Sequence, residues 1–297
     1  MSAVEDSSLR GAVLQRLKFE ASLGLETVCP RALSPAPAAP PPTAPAAERS
    51  QAPVPEPSGA SRKPAAAPAP RAARAQPVDA AGAPVASEAT ASGLFGVEDE
   101  IAGLTPEQKE ERWKALEARA RACTNCGLHA GRNKVVFGEV NRQAQIVFVG
   151  EGPGADEDRT GRPFVGKAGQ LLDKIIAAMG LKRDDVYICN IIKCRPPENR
   201  TPSDEEAHAC WPYLEEQLAL IHPKVIVALG SPAAKMLLKT AQGITHIRGR
   251  WHLYRGIRVM PTFHPAYVLR QYTEQTRRQV WDDMREVMRY LKEEGGG

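Results

Sequence analysis

Cys123 and Cys126 stand in C-T-N-C, and two more cysteines follow beyond a strand-rich stretch, Cys194 in K-C-R-P-P and Cys210 in H-A-C-W-P. Four thiolates suffice for one metal site. A pair one helical turn apart, completed by two ligands from distant segments, suits zinc and an iron-sulfur cluster equally well on spacing alone. A lone C-x2-C would also fit a redox couple. Of the six cysteines in the chain, the remaining two, Cys29 and Cys189, read as unrelated buried thiols.

A second set of chemistry-bearing residues follows short apolar runs. Gly150-Glu151-Gly152-Pro153-Gly154-Ala155-Asp156-Glu157-Asp158 offers glycines that let a ligand approach backbone N–H groups. Phe164 sits among turn residues in G-R-P-F-V-G, Asn190 ends an apolar run, and His264 opens H-P-A-Y-V-L-R. Singly, each has an ordinary structural explanation: a glycine turn, a core aromatic, a capping amide, a buried histidine. Together, beside the cysteines, they outline a pocket with carboxylates, backbone donors, an aromatic face, an amide and an imidazole. An aromatic face with a side-chain amide is the combination that reads a nucleobase edge. Lys193, Arg195, Arg200, Arg248, Arg250 and Arg270 surround these segments, and the net charge is +4. Basic loops of this kind imply contacts to a phosphate backbone and binding that weakens as salt rises.

The elements that must position these residues belong to an α/β domain. Apolar runs at Ala144 to Val149, Val186 to Ile192, Val225 to Leu229 and Arg258 to Thr262 predict four buried, mainly parallel strands. Helical patterns lie between them at Lys167 to Met179, Ser203 to Leu220 and Pro232 to Leu238; Thr105-Pro106-Glu107 opens a helix before the first strand, and another runs from about Glu274 to Leu291. Strand alternating with helix gives a parallel sheet covered on both faces. Ligands of such sheets bind at the carboxyl ends of the strands, where the residues named above fall.

The chain divides into three parts. Residues 1–29 carry Leu9, Val13, Leu14, Leu17 and Leu25 at helical spacing, a short amphipathic helix suited to docking on a partner protein. Residues 30–103 hold more than half of the 26 prolines, many alanines and, as far as Ser92, no aromatic residue. Such a stretch buries too little to offset chain entropy and is expected to be a disordered linker. Residues 104–297 form the folded domain. No apolar run reaches membrane-spanning length and no export signal is evident, so a reducing cytoplasm is expected, where cysteines favour metal over disulfide.

The segments G-E-G-P-G-A-D-E-D, G-R-P-F-V-G-K-A-G-Q-L-L, N-I-I-K-C-R-P-P-E-N-R-T-P and H-P-A-Y-V-L-R, in that order with the four cysteines, resemble the family 4 uracil-DNA glycosylases from about Leu104 to Leu291. The resemblance implies a three-layer α/β/α fold, a monomer, uracil-containing DNA as substrate, and a 4Fe-4S cluster held by Cys123, Cys126, Cys194 and Cys210. It also implies roles. Phe164 would stack on an extruded base and Asn190 would read its edge, while the backbone at Gly152 and Pro153 and the imidazole of His264 would face O2. Glu151 would orient water, and Glu157 would either pack near C5 or support that water. Val268-Leu269-Arg270 would wedge into the space left by the base. No lysine is placed as a Schiff-base nucleophile, which predicts hydrolysis without strand cleavage. The loop Arg195-Pro196-Pro197-Glu198-Asn199-Arg200 lacks the histidine of the branch that is trapped covalently on DNA, which predicts ordinary turnover. Two alternatives stand beside this reading: a noncatalytic iron-sulfur DNA-binding subunit of a replication or repair assembly, and a zinc-stabilised nucleotide hydrolase. The second is weakened because G-E-G-P-G lacks a P-loop's Lys-Ser/Thr ending.

Overall fold

The computed structural model describes residues 97–294. The amphipathic segment at 1–29 and all but the end of the 30–103 linker lie outside the described residues. The fold is a six-stranded sheet between two helical layers. Its order is β1 (Glu139–Val140), β3 (Tyr187–Asn190), β2 (Ile146–Gly150), β4 (Val225–Leu229), β6 (Ile257–Thr262) and β5 (His252–Tyr254). The inner four strands are parallel and are the four runs expected from sequence, while β1 and β5 are antiparallel edge strands. The expected four-stranded sheet is therefore extended at each edge by a strand of two or three residues, too short to show alternation.

Strand period splits the core in two. Val147, Val149, Tyr187, Cys189, Ile226, Ala228 and Val259 face one side, packing on helices α2 (Pro106–Ala122), α5 (Asp204–Ile221) and α6 (Ser231–Leu238). Ile146, Phe148, Ile188, Val225, Val227 and Met260 face the other. There they meet α4 (Lys167–Ala178) and α9 (Glu274–Glu294). With both faces covered, the inner strands need no polar face and are buried throughout.

Thr105 caps α2 through a capping box with Gln108, ahead of Pro106 at the first helical position. The folded part begins earlier than Leu104, however. A short helix α1 (Val97–Ala102) precedes it and buries Ile101, while Glu100 pairs with Arg112. A six-residue segment with Val97 and Ile101 as its larger apolar residues is too short for its spacing to stand out from the linker beside it.

Candidate active site

The carboxyl ends of β2, β3 and β6 meet at one cleft, lined by Glu151, Gly152, Pro153, Gly154, Glu157, Phe164, Asn190, Arg200, Thr201, His264 and Arg270 among others. Parallel pairing sets Gly150 beside Asn190. Beyond the sheet the two chains stay joined, with Ile191 N donating to Gly150 O at 3.0 Å and Ile192 N to Glu151 O at 3.3 Å. Gly150 has to be glycine, because a Cβ there would collide with both Asn190 Oδ1 and the Phe164 ring. Gly152 is tight in the same way against Ile192.

Asn190 is 1% exposed, and its Oδ1 is buried without a hydrogen-bond partner. Buried polar atoms are nearly always paired, so an open acceptor at a cleft calls for a ligand. Phe164 is buried and held at φ 51°, a left-handed conformation that a bulky side chain takes only under constraint. The constraint comes from α4, whose Gly169 packs so closely on the Phe164 backbone that a Cβ would overlap its carbonyl. Arg183 also donates to the carbonyls of Pro163, at 2.6 Å, and Phe164, at 3.2 Å.

Glu157 lines the cleft, but its carboxylate is engaged as a brace. Oε1 accepts from Val165 N and Gly166 N at 2.9 Å each, and Oε2 accepts from Gly154 N at 3.1 Å. One side chain thus ties the loop after β2 to the loop that carries Phe164. Buried Asp158 next to it accepts from Asn133 N and Lys134 N, joining this corner to the segment after Cys126.

His264 caps helix α8 (Pro265–Arg270), its Nδ1 accepting from Ala266 N at 3.1 Å. Burial, reinforced by the Arg270 charge, lowers its pKa to about 4. The ring is therefore neutral near pH 7, and with Nδ1 accepting, its proton resides on Nε2. The rings of His264 and Phe164 lie 5.6 Å apart. Burial pushes the Glu151 carboxyl above its ordinary range, opposed by a hydrogen bond from Thr201 and the charge of Arg270. Thr201 was not singled out in the sequence; its place in N-R-T-P, several residues past the strand, carries no signal of its own.

The cationic residues part company. Arg200 and Arg270 line the cleft, and Arg195 lies in the adjoining loop, where its Nε donates to Asn199 Oδ1 at 2.8 Å. Arg250 is exposed but lines a different depression. Two expectations of phosphate contact need correction. Lys193 is 2% exposed, folded into the core. Arg248 stacks on Phe263 and pairs with buried Asp283, which also accepts from Thr262 Oγ1. The expected wedge is corrected too: Val268 belongs to the core, and only Leu269 and Arg270 of the three are exposed.

Cys123, Cys126, Cys194 and Cys210 line one cavity beside α5. Three of the sulfurs accept N–H bonds, Cys123 from Asn125 N at 3.5 Å, Cys194 from Arg132 Nη1 at 3.2 Å and Cys210 from Lys193 N at 3.3 Å. Among the described residues, no group of three or more His, Cys, Asp or Glu is gathered as a single metal ion would need. Cys189 is a buried thiol inside the sheet, as expected, and Cys29 lies outside the described residues. No described helix is long and apolar enough to cross a membrane.

The architecture and the cleft have counterparts. A model of the uracil DNA glycosylase superfamily matches residues 137–285, and the chain belongs to that superfamily. It is 47% identical over 191 residues to the type-4 uracil-DNA glycosylase of Thermotoga maritima, covering 63% of this chain and 98% of that protein. It is 45% identical over 164 residues to the type-4 enzyme of Pyrobaculum aerophilum, covering 52% and 84%. Against that of Archaeoglobus fulgidus it is 43% identical over 176 residues, covering 56% and 86%. Its branch of the superfamily is type 4.

Proposed function

We propose that the cleft takes a uracil extruded from DNA and that the residues around it break the N-glycosidic bond. The chain is a uracil-DNA glycosylase of base excision repair, a hydrolase that frees the base and leaves an abasic site. Cleavage runs toward an oxocarbenium-like sugar and a uracil anion, so the site must stabilise charge on O2 and admit water to C1′. Extruding the base costs a few kcal/mol.

The buried, unpaired Oδ1 of Asn190 carries this reading. It accepts from uracil N3–H while the amide nitrogen donates to O4; cytosine reverses this pattern and leaves buried groups mispaired, a penalty of about 1–3 kcal/mol. Phe164 stacks on the base. His264 donates from Nε2 to O2, as a neutral hydrogen bond rather than a strong acid. Glu151 orients the water or stabilises the sugar cation. Arg195, Arg200 and Arg270 meet phosphates, and Leu269 fills the vacated stack.

The four cysteines fit a 4Fe-4S cluster. N–H bonds onto their sulfurs are what thiolate ligands receive, and a cluster spreads its thiolates wider than one tetrahedral ion does. Burial raises the Cys194 thiol and lifts that of Cys210 to about 11, so bound metal is needed to draw off their protons. The cluster supplies structure here, tying the end of α2 to the loop after β3. The protein acts as a monomer in the cytoplasm, and residues 1–29 dock a partner protein. Release of free uracil from a uracil-containing oligonucleotide by purified protein tests the activity; binding without release would leave only the noncatalytic DNA-binding subunit. Absorption at roughly 400 nm, lost in Cys194→Ala together with solubility, tests the cluster, and a stable, clustered mutant would remove Cys194 from the ligand set.

A further inference from the structure

We infer that Lys193 is a positioning residue for the base reader: its buried ammonium fixes the main chain of Asn190. This rests on the reading of Asn190 given above. Lys193 Nζ donates to Asn190 O at 2.9 Å and to Gln217 Oε1 at 2.6 Å. Both hydrogen-bond acceptors are neutral, burial works against the charge, and the groups that favour it are the sulfurs of Cys189 and Cys210 rather than a carboxylate. Burying a cation against neutral acceptors is unfavourable, and a methionine of similar length would fill the space without that cost. What the lysine adds over such a methionine is a donor that reaches the Asn190 carbonyl and Gln217 together.

That geometry spans β3 from end to end. Gln217 Nε2 donates to Tyr187 OH and to Phe137 O, each at 2.9 Å, so α5 grips the first residue of the strand through Gln217. Lys193 completes the grip at the last residue, Asn190. The backbone of the same lysine donates to Cys210 Sγ and accepts from Val136 N at 2.8 Å. One residue therefore connects the cysteine cavity, helix α5 and the carbonyl of the residue whose side chain faces the cleft. Because Gly150 leaves no slack around Asn190 Oδ1, a small shift of the Asn190 backbone moves the amide out of register with a bound base. Displacements of about 1 Å at such groups cost on the order of 10²-fold in rate.

Single-turnover excision by the full chain, carrying Lys193→Met, Asn190→Ala or both, tests the inference, alongside absorption at roughly 400 nm and affinity for uracil-free duplex. Lys193→Met is expected to excise on the order of 10²-fold more slowly, with absorption and duplex affinity retained, and to discriminate less between uracil and cytosine. The double variant is expected to be no slower than Asn190→Ala. Wild-type excision by Lys193→Met, or losses that multiply in the double variant, would overturn it. Should Lys193→Met not fold, Gln217→Leu carries the test, expected to be about tenfold slower with the cluster in place; an unchanged rate overturns the inference. An Asn190→Ala variant that excises normally sinks the base-reading role instead, a separate outcome.

Discussion

Asn190 has a polar atom with nothing to bond, and that makes it the most exposed to test of all the site residues. Asn190→Ala is expected to lower excision by 10²- to 10³-fold, the usual cost of removing one well-placed polar group from an active site, while affinity for uracil-free DNA stays level. Equal loss of both would deny it the role of base reader. Glu151 is best tested by pH. Its pKa is raised above the ordinary carboxylate value by burial, so the ionised form required to orient water is lost as pH falls through that raised value. His264, with a pKa of about 4, stays neutral across the same interval. Excision at saturating enzyme should therefore show one acid limb, and Glu151→Gln should remove the limb along with much of the rate; a limb that survives belongs to another group. These residues could be read from the sequence because each lies at or within two residues of the carboxyl end of a buried strand. Lys193 could not. It lies in a segment where cations usually meet solvent, and only the fold shows its chain turning back to the Asn190 carbonyl.

At the scale of elements, the site depends on close contact between α4 and the loop that carries Phe164. Gly169→Ala should push Phe164 out of place, since its Cβ would occupy the Phe164 carbonyl. Overpacking of this kind costs typically 1–3 kcal/mol, and thermal unfolding should show a Tm several degrees lower. Excision should fall as well, and a variant with native Tm and rate would mean that the loop has room to move. The four inner strands and the main helices were legible because strands covered on both faces read as unbroken apolar runs. The edge strands, α1 and the partition of Val268 from Leu269 were not. Two or three residues show no period, and in α8 the choice of which neighbour goes inside is made by the helical turn, not by hydrophobicity.

For the molecule as a whole, the described residues 97–294 contain the cleft residues named above and the four cysteines that line the neighbouring cavity. Deleting residues 1–92 should leave excision from short oligonucleotides largely intact, and a collapse would show that the upstream segment takes part in the reaction. Binding should weaken with salt in proportion to the phosphates neutralised, and replacing Arg270 with Ala should lower the slope of log affinity against log salt by about one. Gly150, at the centre of the sheet, sets a limit on how this enzyme can diverge. It stands directly behind two groups that line the cleft, and the Asn190 amide and the Phe164 ring fill the space where its side chain would begin. Mutation there can only narrow the space. Room gained by cutting back Asn190 or Phe164 would therefore be won at the expense of the two groups proposed to tell uracil apart.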